Sequence, residues 1–150
     1  MTSDFELREK IKDLKIKASF RGVFMRNELK NLKRKNNECG IINLNSNDVS
    51  PEFNSKTGHW QAWFVKKKKN YFFCSFGAPC PKEMIEYLGK PILISNFQIQ
   101  DFSTQICGEI CCLFIHFMDS GMSYVDTVLT LYKMFQEEKE EKEEEKHQNG

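Results

Sequence analysis

Residues 107–118, "CGEICCLFIHFM", are apolar on nearly every side. A helix without a polar face must be enclosed by the rest of its domain, so this stretch predicts a buried central helix. A polar run, "DFSTQI" (101–106), leads into it. A second helical pattern, "SYVDTVLTLYKMFQ" (123–136), follows Gly121 with Ser123 as N-cap. The rest of the chain has to supply the layers around that helix.

Upstream, "GHWQAWFV" (58–65) sets His59, Gln61 and Trp63 in alternation with Trp60, Ala62 and Phe64, the period of a strand. "KKKKN" (66–70) fits a turn and "YFFCSFG" (71–77) a second strand ending at Gly77, together a hairpin. "CPKEMIEYLG" (80–89) reads as a short helix, with Pro81 near its first turn and Gly89 at its stop. "PILISNFQI" (91–99) is strand-like. Nearer the N-terminus, Phe5, Leu7, Ile11, Leu14 and Ile16 mark an amphipathic helix over residues 4–16. "FRGVFMRNEL" (20–29) and "ECGIINLNS" (38–46) are short segments with buried apolar groups, and "SNDVSPEFNSKTG" (46–58) is loop-like. Strands and helices mix without regular βαβ alternation, which predicts an α+β fold. In that fold a mixed sheet packs on the 107–118 helix.

Length and charge bound the class. At 150 residues the chain suits one domain, assigned to residues 1–136. The run "EEKEEKEEEK" (137–146) has no apolar residue to bury, so residues 137–150 are expected to form a charged tail, a fraying helix extension or disordered. No apolar stretch approaches the roughly 20 residues of a bilayer span. The charged start "MTSDFELREKIKDLKIK" is no secretory signal. An intracellular protein with reduced cysteines is expected, not a secreted one.

The six cysteines do not pair in the spacings of a structural zinc site. Cys107 and Cys111 are four apart, Cys111 and Cys112 adjacent, and Cys39, Cys74 and Cys80 stand alone. No metal site is expected. Cys111 and Cys112 read as small apolar core residues, and His116 as a core or helix-end histidine. Cys107 differs because it falls at the N-terminus of the buried helix, where backbone N–H groups and the helix dipole favour a thiolate. Gly108 beside it leaves room for a substrate backbone. A nucleophilic thiolate needs a general base, and His59, at the start of a strand after a loop, is the candidate. Gln100, at the end of the preceding strand, is placed to donate to an oxyanion together with the Cys107 amide.

Taken in order, "GHWQAWFV", "YFFCSFGAPCP" and Gln-x₆-"CGEICCLFIHFM" resemble the adenovirus-type cysteine proteases (adenain) and their Polinton/Maverick and virophage relatives. They resemble the SUMO-specific proteases more distantly. The similarity spans roughly residues 20–132, and "FRGVFMRNEL" with "ECGIINLN" resembles the Polinton-type members. The resemblance implies Cys107 as nucleophile, His59 as general base and Gln100 as oxyanion donor. It also implies that Trp60 narrows the substrate channel for small residues such as glycine. The implied activity is cleavage of capsid or virion precursors through a thioester, by a monomer in host nucleus, cytoplasm or virion. No cofactor is required by the residues, although the family implies stimulation by DNA. Lys66, Lys67, Lys68 and Lys69 would make non-specific phosphate contacts if they are more than a solvated turn.

One position departs from the family. Where an Asp or Glu orients the base, this chain has Cys74, and a neutral thiol does that poorly. Three readings stay open: a Cys–His dyad, another group orienting His59, or an impaired copy. The alternatives in function are a SUMO-type protease and a catalytically impaired peptide- or DNA-binding relative.

Overall fold

The sheet is built outward from β3 (Trp60–Lys66), whose residues "WQAWFVK" are buried from Trp60 to Val65. The computed structural model describes residues 3–44, 59–99 and 106–149. Its five-stranded sheet has the order β1-β2-β3-β4-β5, with β1 Ser19–Met25, β2 Glu38–Asn43, β4 Lys69–Phe73 and β5 Ile92–Ile94. β3 runs antiparallel to both neighbours, whereas β1 with β2 and β4 with β5 are parallel. This is the mixed sheet expected.

β3 has no solvent face because both sides are covered. Trp60, Ala62 and Phe64 enter one core with the helix α3 (Cys107–Asp119). Trp63 and Val65 enter a second core with Phe72, Cys74, Met84 and Leu88, the last two on the short helix α2 (Lys82–Leu88). α3 buries Ile110, Cys111, Phe114, Ile115 and Met118. Phe114 stacks on Phe73 with ring centroids 4.7 Å apart. The first helix, α1 (Asp4–Leu14), is capped by Ser3 Oγ, which accepts from the Glu6 amide. It buries Leu7 and Ile11, but Phe5 is exposed rather than part of its apolar face. The last helix, α4 (Tyr124–Asn149), starts where Ser123 Oγ accepts from the Asp126 amide, so Ser123 does act at its N-terminus. The acidic run continues that helix.

Three local expectations change. The hairpin turn is Lys67–Lys68, with φ of 51° and 64°, the left-handed pair a two-residue hairpin needs. Lys66 and Lys69 are ladder partners on either side of it. β4 stops at Phe73, not Gly77, because the chain turns there: the Gly77 amide donates to the Cys74 carbonyl at 3.0 Å. Gly77 takes φ 72°, and a Cβ there would lie 2.7 Å from the Asn96 carbonyl oxygen. Pro81 is the N-cap of α2, beside its first turn as expected. β5 ends at Ile94, so Gln100 does not end that strand, and Gln100 itself lies outside the described residues.

One buried polar cluster and one close steric approach tie the layers. Glu38, fully buried, accepts from Arg21 Nη1 at 3.0 Å, Trp63 Nε1 at 2.7 Å and Tyr87 Oη at 2.8 Å. Opposite Trp63 on β2 sits Gly40, where a Cβ would come within 2.2 Å of the indole. No helix of the described residues is long and apolar enough to cross a membrane.

Candidate active site

The first residue of β3 meets the first residue of α3. The Trp60 amide donates to Cys107 Sγ at 3.3 Å, across 47 residues of sequence. β2 holds that end of β3 in place: Asn43 pairs with Trp60, and the Leu44 amide donates to the His59 carbonyl at 3.0 Å. His59 is therefore the residue immediately before the strand rather than its first. The fold thus gathers His59, Trp60, Cys107 and Gly108, four of the residues singled out in the sequence.

Their surroundings differ from those expected. His59 is 7% exposed, not presented at an open strand end. Its ring lies against Phe76, centroids 4.6 Å apart. Its Nδ1 is buried and has no hydrogen-bond partner among the described residues. Burial lowers the imidazole pKa below its ordinary range, partly offset by the Trp60 backbone. Cys107 is also buried. Burial raises its pKa, while the amides of Trp60, Gly108 and Cys107 itself pull it down. The helix-terminus effect expected from the sequence is present but smaller than desolvation, and the net shift is upward. Both groups are thus held in their neutral forms.

Cys74 follows the last residue of β4 and is buried in the second core. It lies near enough to Cys107 to oppose its ionisation, the least of the influences on that thiol. Among the described residues no carboxylate enters the influences on His59. Gly108 is buried beside Cys107, and Trp60 packs in the same core. All six cysteines are free and buried. Among the described residues no cluster of His, Cys, Asp and Glu could hold a metal ion.

The lysine run divides. Lys66 is not a solvated turn residue: its Nζ donates to the carbonyls of Met118 and Met122, each at 2.9 Å, and so caps the C-terminal end of α3. Lys67, Lys68 and Lys69 are exposed. Two site neighbours escaped the sequence reading. Phe76 had a signal in "SFG", an aromatic two residues past Cys74. Gln61 had one in the alternation that puts it on the face of His59.

These observations place a helix-terminal cysteine against the backbone of the residue that follows a buried histidine, at one end of a mixed sheet. The chain is similar to a protease of Bovine adenovirus 2. The two are 28% identical over 129 residues, covering 74% of this chain and 60% of that protein. The chain therefore spans about 60% of the length of the relative it matches. No family model matches. The similarity supports a relationship to viral proteases, and the α+β fold with its five-stranded mixed sheet is compatible with it.

Proposed function

We propose that this chain is a cysteine endopeptidase of a virus or virus-like mobile element, in which Cys107 is the nucleophile and His59 the general base. The observation that carries the reading is the Trp60 amide on Cys107 Sγ, which seats the thiol beside the residue that follows His59. In the reaction, His59 takes the thiol proton as Cys107 Sγ attacks the scissile carbonyl. The tetrahedral oxyanion is met by the Cys107 backbone N–H and the side-chain amide of Gln100. His59 returns the proton to the departing amine, leaving a thioester on Cys107. Water, deprotonated by His59, then attacks the thioester, and the acid product leaves as the thiol recovers its proton.

The substrates proposed are capsid or virion precursors cut after small residues such as glycine, with Trp60 narrowing the approach. The sequence likeness to Polinton and virophage proteases favours that setting over processing of SUMO-like proteins. Lys67, Lys68 and Lys69 are the residues proposed for any stimulation by DNA. One observation favours a second reading, an impaired relative that binds peptides: Cys74 stands where the family has an acid, and no carboxylate among the described residues acts on His59.

A vinyl-sulfone peptide ending in Gly-Gly, reacted with the native protein and read by intact mass and peptide mapping, separates the two. Labelling confined to Cys107 and abolished by His59→Ala is the expected result. Slow labelling spread over several cysteines would leave only the binding role.

A further inference from the structure

We propose that Gln61 is the residue that positions His59, in place of a carboxylate at the Cys74 position. The inference rests on the reading of His59 as general base. It starts from the alternation along β3: Trp63 and Val65 belong to the second core, while Trp60, Ala62 and Phe64 belong to the first. Gln61 therefore shares the second face. So does His59, two residues earlier, whose ring lies on Phe76, itself packed against the second core.

Both side chains are incomplete in the same way. Gln61 is fully buried, and neither its Oε1 nor its Nε2 has a hydrogen-bond partner among the described residues. His59 Nδ1 is likewise buried and without a hydrogen-bond partner among the described residues. A buried amide with no partner is a structural liability, and a methionine would fill the same volume without it. Two such orphans two residues apart on one face stand about 7 Å apart along the strand, within the reach of a glutamine side chain.

The location also fits. Phe73 pairs with Ala62, so the next residue, Cys74, falls beside Gln61. The position where the family carries its acid and the position of this chain's unpartnered amide are neighbours. A thiol at one is matched by an amide acceptor at the other. In the competent arrangement Gln61 Oε1 accepts from His59 Nδ1–H. That holds the tautomer whose Nε2 lone pair is free to take the Cys107 proton. A neutral amide fixes the ring as a carboxylate does, but adds no charge to stabilise the imidazolium.

Nitrogen NMR of the histidine side chains in the wild-type protein is the first test. A neutral His59 in the Nδ1–H form is the expected result, and the Nε2–H form overturns the proposal. Gln61→Met should then slow labelling of Cys107 by the Gly-Gly vinyl sulfone about tenfold or more and shift the tautomer, with no loss in melting temperature. Gln61→Glu should restore the rate and raise the His59 pKa. Unchanged labelling and tautomer in Gln61→Met would overturn the proposal while leaving His59 as base. If wild-type labelling is instead indifferent to His59→Ala, the peptidase reading fails, and the tautomer shift still decides whether Gln61 holds the ring.

Discussion

Cys107 and His59 are both displaced toward neutrality by burial, and that has a consequence for pH. The thiol's folded pKa lies above its ordinary value. Alkylation of Cys107 by iodoacetamide should therefore rise only in the alkaline range, without the acid-side plateau of a preformed thiolate–imidazolium pair. For His59 the folded pKa lies below its ordinary value. The folded state then binds fewer protons than the unfolded one, so stability is present above the ordinary imidazole range and falls as pH drops through it. Urea unfolding from neutral pH to pH about 5 should show a shallower loss in His59→Phe than in the wild type. Cys74 gives a further test at this scale. Cys74→Asp should speed labelling of Cys107 by about tenfold or more if a carboxylate still improves on what orients His59 now. The same change should lower stability, because a carboxylate at this buried position is desolvated and uncompensated until His59 charges.

At the scale of elements, the close approaches within the sheet are the parts least open to change. Gly40→Ala puts a methyl carbon into the Trp63 ring and should cost about 1–3 kcal/mol in urea denaturation. Lys66→Met removes the two bonds to the Met118 and Met122 carbonyls and should cost about 1 kcal/mol, with fraying at the C-terminal end of α3 seen by hydrogen exchange. These elements also show what the sequence could tell. The alternation in "HWQAWFV" and the apolar run from Cys107 to Met118 were legible because each pattern records which faces are covered. The ends of β4 and β5 were not, because they are set by partners distant in sequence: the Ile99 amide, for example, donates to the Ser75 carbonyl at 2.7 Å. The role of Lys66 was hidden for the same reason, since four adjacent lysines look alike until one meets a helix end. Motif and resemblance single out His59 and Cys107 but say nothing of their depth. A helix N-terminus by itself favours the thiolate, and here burial outweighs it.

Across the whole molecule, the register separates the two proposed sites in space. Trp60 pairs with Asn43 at the end of the sheet that holds Cys107, while Lys66 pairs with Lys69 at the opposite end. DNA binding through Lys67, Lys68 and Lys69 should therefore survive Cys107→Ala unchanged. Replacing the three with glutamine should flatten the salt dependence of DNA affinity, by about 0.9 in the log–log slope for each phosphate no longer neutralised. The same two ends of β3 also hold α3, through the Trp60 amide at its start and Lys66 at its finish. Seven strand residues and thirteen helical ones span the same interval, about 20 Å at 3.3 Å and 1.5 Å per residue. Strand and helix thus act as matched rulers, and neither tolerates an indel. One residue inserted into α3 would swing Cys107 by about 100° around the helix axis and lift it off the Trp60 amide. Length variation in relatives of this chain should therefore collect in the connections and spare these two segments.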